Sequence, residues 1–415
     1  MKNVIGRHVR PASQFDSGHV KKILKVNAIY FATLVIGILV FAATPKRSVS
    51  SNYEQAAVHW IEGAPLYAES KENGHGFLYL PQAAILHIPF SILSNISGLP
   101  WFGDVCWRIT SWLMLVFGCW HFRKLSIGSL ETNWIMASCV SLLGISCLRI
   151  GQSTLLLTAL MILALVAWRW QRFTQATICI ALAVAVKPLA IVLALLMFAI
   201  SSPMRVRLLL ASIALALFPF ACQAPGYVIQ QYRECWTMLH TAADLGNSGE
   251  WAQLFGMLDS FGFHTSGRLE NMVRVVAAFA TLVLAFRTLS LSSVEKQAIW
   301  LFTWTVVYLL LFSPRTENST YCLLGPVLGV IIADSFVRDG RSMQTIMLTV
   351  LTVLIAGSYE IGKYFTSLGD KAIWLAPMAC CILLVYLLFL FTWDTLFSRE
   401  NRDKQLIQDR KLSIG

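Results

Sequence analysis

The chain has 415 residues, of which 56% are hydrophobic and 13% charged, and its net charge is +11. A soluble protein of this length needs far more charge to cover its surface, so the composition argues against a soluble enzyme and for a polytopic membrane protein. The basic residues fall in short clusters between apolar runs, as the positive-inside rule expects, and not in a single patch that would grip nucleic acid.

The first apolar run, 26–43, follows Lys21, Lys22 and Lys25. Val40-Phe41-Ala42 loosely resembles a signal cleavage site. The apolar core is too long and begins too late for a secretory signal, so an uncleaved membrane anchor is expected. A spanning helix needs about 20 apolar residues. Further candidate spans are 105–122, 131–149, 153–168, 174–187, 188–203, 207–222, 271–290, 297–313, 321–336, 344–362 and 374–393. The expected fold class is therefore all-α: one integral membrane domain over 1–415, with about twelve spanning helices.

Both termini are expected in the cytoplasm, beside an inner, cytoplasmic membrane. With that placement Arg123-Lys124, Arg169 with Arg172, Arg205 with Arg207, Arg287 with Lys296, and Arg338 with Arg341 all fall inside. So does the basic tail, 394–415. Residues 79–96 are apolar but interrupted by Pro81, Gln82, His87 and Pro89. They are expected to lie on the outer surface as an interfacial or re-entrant helix within the first outer loop, 44–104. The second large outer loop is 223–270. The short turns at Arg149-Ile150-Gly151-Gln152, Lys187-Pro188 and Ser313–Asn318 fall on the same outer face.

Ten cysteines are scattered with no C-x-x-C pair, which gives no zinc or redox motif. Cys222 and Cys235 share one loop, but small buried thiols are the commoner explanation. There is no internal repeat and no inverted symmetry.

Several residues have types suited to chemistry. In the first outer loop, Tyr53, Glu54, Glu62, Tyr67, His75 and Tyr79 combine rings with acids and a histidine. Rings pack on the apolar faces of a sugar and acids accept its hydroxyl protons. The same residues also suit an interfacial aromatic belt. Gly151-Gln152 at a helix start suits an anion, or else a tight helix approach with a polar end-marker. Lys187 either snorkels to the surface or joins Arg149 and Arg315 at an outer mouth, where three cations would neutralise a phosphate. Ser313-Pro314-Arg315-Thr316-Glu317-Asn318 sets charge and amide between two apolar runs, where charge is costly unless it faces a cavity, a partner or water. Glu317 is open to two roles, pairing with Arg315 or facing substrate.

The run His75-Gly76-Phe77-Leu78-Tyr79-Leu80-Pro81, with Gly63, Tyr67 and Trp107-Arg108, resembles the DUF2029 membrane proteins, glycosyltransferase family 87. Gly151-Gln152, Lys187-Pro188, Pro219-Phe220 and Ser313–Asn318 followed by Tyr321 continue the resemblance, in order, from about residue 50 to 330. The resemblance implies a GT-C architecture and a metal-independent, cofactor-free enzyme. It would take a sugar from a polyprenyl-phosphate donor on the outer face by an inverting single displacement and pass it to a lipid or glycan acceptor; characterised relatives move mannose. It also implies an aspartate as catalytic base early in the first outer loop. That place falls near Val49, which cannot take a proton.

The candidates are accordingly Glu54, Glu62 and Glu317 for the base. Lys187, Arg315 and Arg149 are the candidates for the donor phosphate. Gln152, Tyr53, His75, Tyr79 and Asn318 are those for the sugar or acceptor. A transporter or flippase of a lipid-linked saccharide, and an inactive relative, are the alternatives.

Overall fold

The computed structural model describes residues 17–68, 76–126, 130–244, 251–291, 293–365 and 373–414. Among them there are seventeen α-helices and no strand. The first five are α1 (Ser17–Ala43), α2 (Ser50–Glu62), α3 (Pro81–Ser97), α4 (Phe102–Phe122) and α5 (Leu130–Ile150). Next come α6 (Thr154–Arg169), α7 (Phe173–Val186), α8 (Ile191–Ile200), α9 (Ser202–Leu217), α10 (Pro225–Asp244) and α11 (Leu254–Ser260). The last six are α12 (Gly267–Thr288), α13 (Val294–Phe312), α14 (Leu324–Asp339), α15 (Met343–Ala356), α16 (Ser358–Tyr364) and α17 (Leu375–Ile414).

This is an all-α polytopic membrane protein. Six helical stretches are long and apolar enough to cross a membrane, or seven if α15 and α16, bent by 73°, form one broken span. The other stretches in the expected set of twelve are of two kinds. α6, α7 and the 188–200 segment are apolar but short. At 1.5 Å per residue, the 16 residues of α6 reach roughly 24 Å, less than a hydrocarbon core of about 30 Å. α4 and α13 have 21 and 19 residues and lie outside those six stretches.

α6 and α13 form the centre. Thirteen residues of each are buried, and a helix that is hydrophobic all round belongs inside. α6 packs on α4, α7 and α13, while α5 packs on α1 and α14. The α5–α14 contact depends on Gly325 and Gly329, spaced four apart on one face. A Cβ at Gly329 would come within 2.7 Å of the Met136 Cα, and one at Gly325 within 3.0 Å of the Val140 Cα. Small residues at this spacing let two backbones approach closely in a bilayer. The peripheral α9 and α12 instead expose apolar side chains such as Leu209, Leu210, Val275 and Phe279, which suits contact with lipid.

A second, smaller core caps one end of the bundle. Tyr53, Trp60, Tyr67, Phe77, Trp107 and Met238 pack together where α2, α3 and α10 meet. α3 is a separate helix with Pro81 at its start and Pro89 inside it. At the opposite end, Arg169 of α6 binds Glu295 of α13, and Ser293 Oγ donates to the same carboxylate at 2.7 Å.

The Arg169 guanidinium, helped by Ser293, pulls Glu295 from its ordinary 4.5 down to about 2. A carboxylate depressed in the folded state adds stability above its unfolded pKa and loses it as pH falls through the folded one. Glu295→Gln is therefore expected to lower stability at pH 7 by under about 1 kcal/mol, since both side chains are partly exposed. The difference between the two proteins should shrink as pH drops from 4.5 towards 2. Thermal unfolding of both in detergent across that range checks it.

Candidate active site

The site is built around the turn between α5 and α6. α5 ends in a Schellman motif: Gly151 N donates to Leu148 O at 3.2 Å, and Gln152 N donates to Cys147 O at 3.1 Å. Gly151 adopts φ +68°, a left-handed conformation that glycine reaches without a Cβ clash. A Cβ there would also meet Arg108 Nη2 at 2.9 Å and Ser50 Cβ at 3.1 Å.

Two side chains of α4 clamp this turn. Trp107 Nε1 donates to Gly151 O at 2.9 Å, and Arg108 Nη1 donates to the C-terminal carbonyls of Leu148, which also accepts from Gly151 N, and of Arg149. Arg108 is only 1% exposed. Its Nε binds Asp104 Oδ2 at 2.9 Å, its Nη2 donates to Ser48 Oγ at 2.9 Å, and Ser50 Oγ donates to Asp104 Oδ1. Val49 N donates to Ile150 O at 2.9 Å, so the start of α2 is tied to the end of α5. The acid nearest Val49 in this network is Asp104, already engaged by Arg108 and Ser50.

With the turn fixed, Gln152 projects into a buried polar cluster. Its Oε1 accepts from Tyr53 Oη at 2.6 Å and from Tyr79 Oη at 3.1 Å, and the two phenol oxygens lie 2.8 Å apart. That leaves the amide nitrogen facing Glu317, where Nε2 donates to Oε2 at 2.9 Å. Ser319 Oγ donates to the same oxygen at 3.0 Å. Burial pushes both phenols well above the ordinary tyrosine value, so they stay protonated donors at neutral pH. Lys187 pulls Tyr53 in the other direction, and Glu317 raises Tyr79 further. The Tyr53 ring packs at 5.1 Å from Tyr79, 5.5 Å from His87 and 5.9 Å from Trp107, which holds its hydroxyl in place.

The helix start at Gly151-Gln152 is not open to an anion at its first amide. Ser153 N donates to Gln152 Oε1 at 3.2 Å and to Tyr53 Oη at 3.4 Å.

The strip after α13 leaves the helix at Ser313 and is held from the side. Ala252 N donates to Thr316 O at 2.7 Å, Gln253 Nε2 donates to Pro314 O at 3.4 Å, and Thr316 Oγ1 donates to Leu309 O at 3.1 Å. These bonds present Glu317 to a cavity of about 600 Å³, whose wall includes Arg149, Trp251, Asn318, Ser319 and Tyr359. Asn318 Oδ1 is buried there without a hydrogen-bond partner. The Arg315 guanidinium lies over the Trp251 ring at 5.2 Å.

Lys187 approaches from the other side. Pro188 carries no N–H and forces the preceding residue into extended backbone, so α7 stops at Val186 and Lys187 sits at φ −155°, ψ 124°. Its Nζ donates to Thr154 Oγ1 at 3.1 Å and lies 6.0 Å from the Tyr79 ring centre.

The structure thus brings together Tyr53, Tyr79, Gln152 and Glu317, with Lys187 on one flank and Arg149, Arg315 and Asn318 on the other. Glu54 is half-buried on α2 and Glu62 is exposed in its last turn, and neither lines the cavity or bonds the cluster. His75 lies outside the described residues. Ser319, Thr154, Trp251 and the Asp104–Arg108 pair belong to the site or its support and were not anticipated in these roles. An i,i+4 Asp104–Arg108 spacing inside an otherwise apolar helix was the available signal for the last. Among the described residues no three His, Cys, Asp or Glu side chains converge as a metal site would require.

The profile of glycosyltransferase family 87 matches residues 77–314, more than half of the chain. The chain belongs to that family. It is a multi-pass membrane glycosyltransferase, with a sugar donor and an acceptor as substrates. No curated protein matches it. The matched stretch of the glycosyltransferase carries Tyr79, Trp107-Arg108, Arg149, Gly151-Gln152 and Lys187. Tyr53 and Glu317 lie outside the match, and the fold delivers them to Gln152 from either side.

Proposed function

We propose that this glycosyltransferase moves a hexose from a polyprenyl-phosphate donor to a lipid or glycan acceptor on the outer face of the cytoplasmic membrane. The observation that supports it best is Glu317. Its Oε2 takes both hydrogen bonds from Gln152 and Ser319, so Oε1 is left for an acceptor hydroxyl in a cavity that also holds a cation, Arg149.

In this reading Glu317 removes the proton as the acceptor oxygen attacks the anomeric carbon, and the bond from that carbon to the donor phosphate oxygen breaks. The polyprenyl phosphate leaves with an added negative charge. Lys187, Arg149 and Arg315 stabilise that charge as it develops. Tyr53 and Tyr79 hold Gln152, which in turn aims Glu317. Asn318 Oδ1, buried without a partner, would accept from a sugar hydroxyl, because a buried polar atom left unpaired is costly. Glu54 and Glu62 become the less favoured acids, since neither reaches the cluster.

Lys187→Ala is expected to cut transfer by about 10²–10³-fold, the usual cost of removing one group that stabilises transition-state charge. The purified protein would be given radiolabelled polyprenyl-phosphate sugars, or nucleotide sugars, with a membrane lipid extract. Transfer only from the polyprenyl donor, lost in Lys187→Ala, is the expected result. Transfer from nucleotide sugars, or movement of the lipid between leaflets without transfer, would sink the reading.

A further inference from the structure

A second cavity of about 580 Å³ lies between the C-terminal ends of α4 and α6 and the N-terminal half of α7. It is far from the candidate active site. α6 begins beside Lys187 at Thr154 and ends at this cavity, roughly 24 Å away along its 16 residues. The lining is graded along the helices. Phe117, Leu163 and Ile178 form an apolar trough towards the bundle middle, and His121, Lys124 and Arg172 stand at the helix ends. Phe117, Ile178 and the neighbouring Trp170 are each more than half exposed. The trough therefore opens outward, and Trp170 marks the interfacial level where such rings gather.

Charge decides what would fill it. No carboxylate lines the cavity. The nearby cations that have partners are already engaged: Arg169 with Glu295, and Arg123 with Asn133 and the Trp120 ring. Lys124 and Arg172 have no carboxylate partner among the described residues. Two unpaired cations beside His121, above an apolar trough open to the side, complement one molecule with a phosphate at one end and a hydrocarbon chain at the other.

We infer that this cavity binds an anionic phospholipid of the leaflet opposite the active site. The phosphate rests on Lys124 and Arg172, and one acyl chain lies along Phe117, Leu163 and Ile178. The site is independent of the transfer chemistry and stands or falls separately from it.

Native mass spectrometry of the full chain in detergent tests this with phosphatidylglycerol, phosphatidylcholine and inorganic phosphate as probes. Each basic residue near an anionic headgroup contributes roughly fivefold, so retention of phosphatidylglycerol over phosphatidylcholine should be on the order of twentyfold. That preference should vanish in the double variant Lys124→Ala/Arg172→Ala, and inorganic phosphate should not displace the lipid. A phosphatidylglycerol with a photoreactive tail should label 117–124 and 163–179 of the wild type, a readout that needs no variant to fold. Equal retention of both lipids, an unchanged preference in the double variant, displacement by phosphate alone, or labelling confined to other helices would each overturn the inference.

Discussion

Arg108→Ala lowers the unfolding free energy by about 3–5 kcal/mol, the range expected when one partner of a buried ion pair is removed. Asp104, 8% exposed, would keep only Ser50 Oγ, and a buried charge without its counter-ion is far more costly than the pair. The same substitution removes the Arg108 hydrogen bonds to the Arg149 and Leu148 carbonyls, of which Leu148 O keeps only Gly151 N, and to the Ser48 hydroxyl. It also removes the guanidinium packed over the Phe41 ring at 3.9 Å. Because the Schellman turn at Gly151 positions Gln152, activity should fall with stability. Denaturation by SDS in mixed micelles measures the loss. The double variant Asp104→Asn/Arg108→Met should recover part of it, since it leaves no uncompensated buried charge. A loss below about 1 kcal/mol in Arg108→Ala would mean the network is not what holds the turn.

Glu317→Gln removes the carboxylate proposed as base while keeping the side-chain shape, and transfer should fall by about 10²–10⁴-fold, the usual worth of a positioned general base. The amide still offers an oxygen to Gln152 Nε2 and Ser319 Oγ, so folding and donor binding should change little. An effect on kcat with KM nearly unchanged separates this from a packing defect. Glu54→Gln gives the contrast. Successive residues on a helix are turned by about 100°, and Tyr53 points into the cluster, so Glu54 beside it faces elsewhere. Its replacement should leave transfer within a few-fold of wild type.

Fold class was legible from composition alone, because 56% hydrophobic content with 13% charge leaves few soluble alternatives. The helix break at Lys187-Pro188 was legible too, since proline removes a donor and constrains the residue before it. The strip at Ser313–Asn318 was flagged by the cost of placing charge between apolar runs, and its last two residues, Glu317 and Asn318, line a cavity. The number of crossings was harder. Apolarity does not tell a helix buried by neighbours from one that faces lipid, and thirteen of the 16 residues of α6 are buried. α4 and α13 show the converse, with length enough to span yet lying outside the six spanning stretches.

The grouping of Glu317 with Tyr53 was the least legible part. Glu54 stands next to Tyr53 in sequence, whereas Glu317 lies at the far end of the chain. Only the fold joins Tyr53, Gln152 and Glu317 in one hydrogen-bonded row. Val49 is better understood for the same reason. Its amide is engaged at the end of α5, and the acid beside it, Asp104, comes from α4.

Glu317, held by Gln152 and Ser319, is the group proposed to activate the acceptor. The most direct measurement is radiolabel transferred from a polyprenyl-phosphate sugar to extracted membrane lipid by wild type, Glu317→Gln and Glu54→Gln, side by side. Transfer that collapses in Glu317→Gln and persists in Glu54→Gln is the predicted result. Transfer that persists in Glu317→Gln and collapses in Glu54→Gln would contradict it.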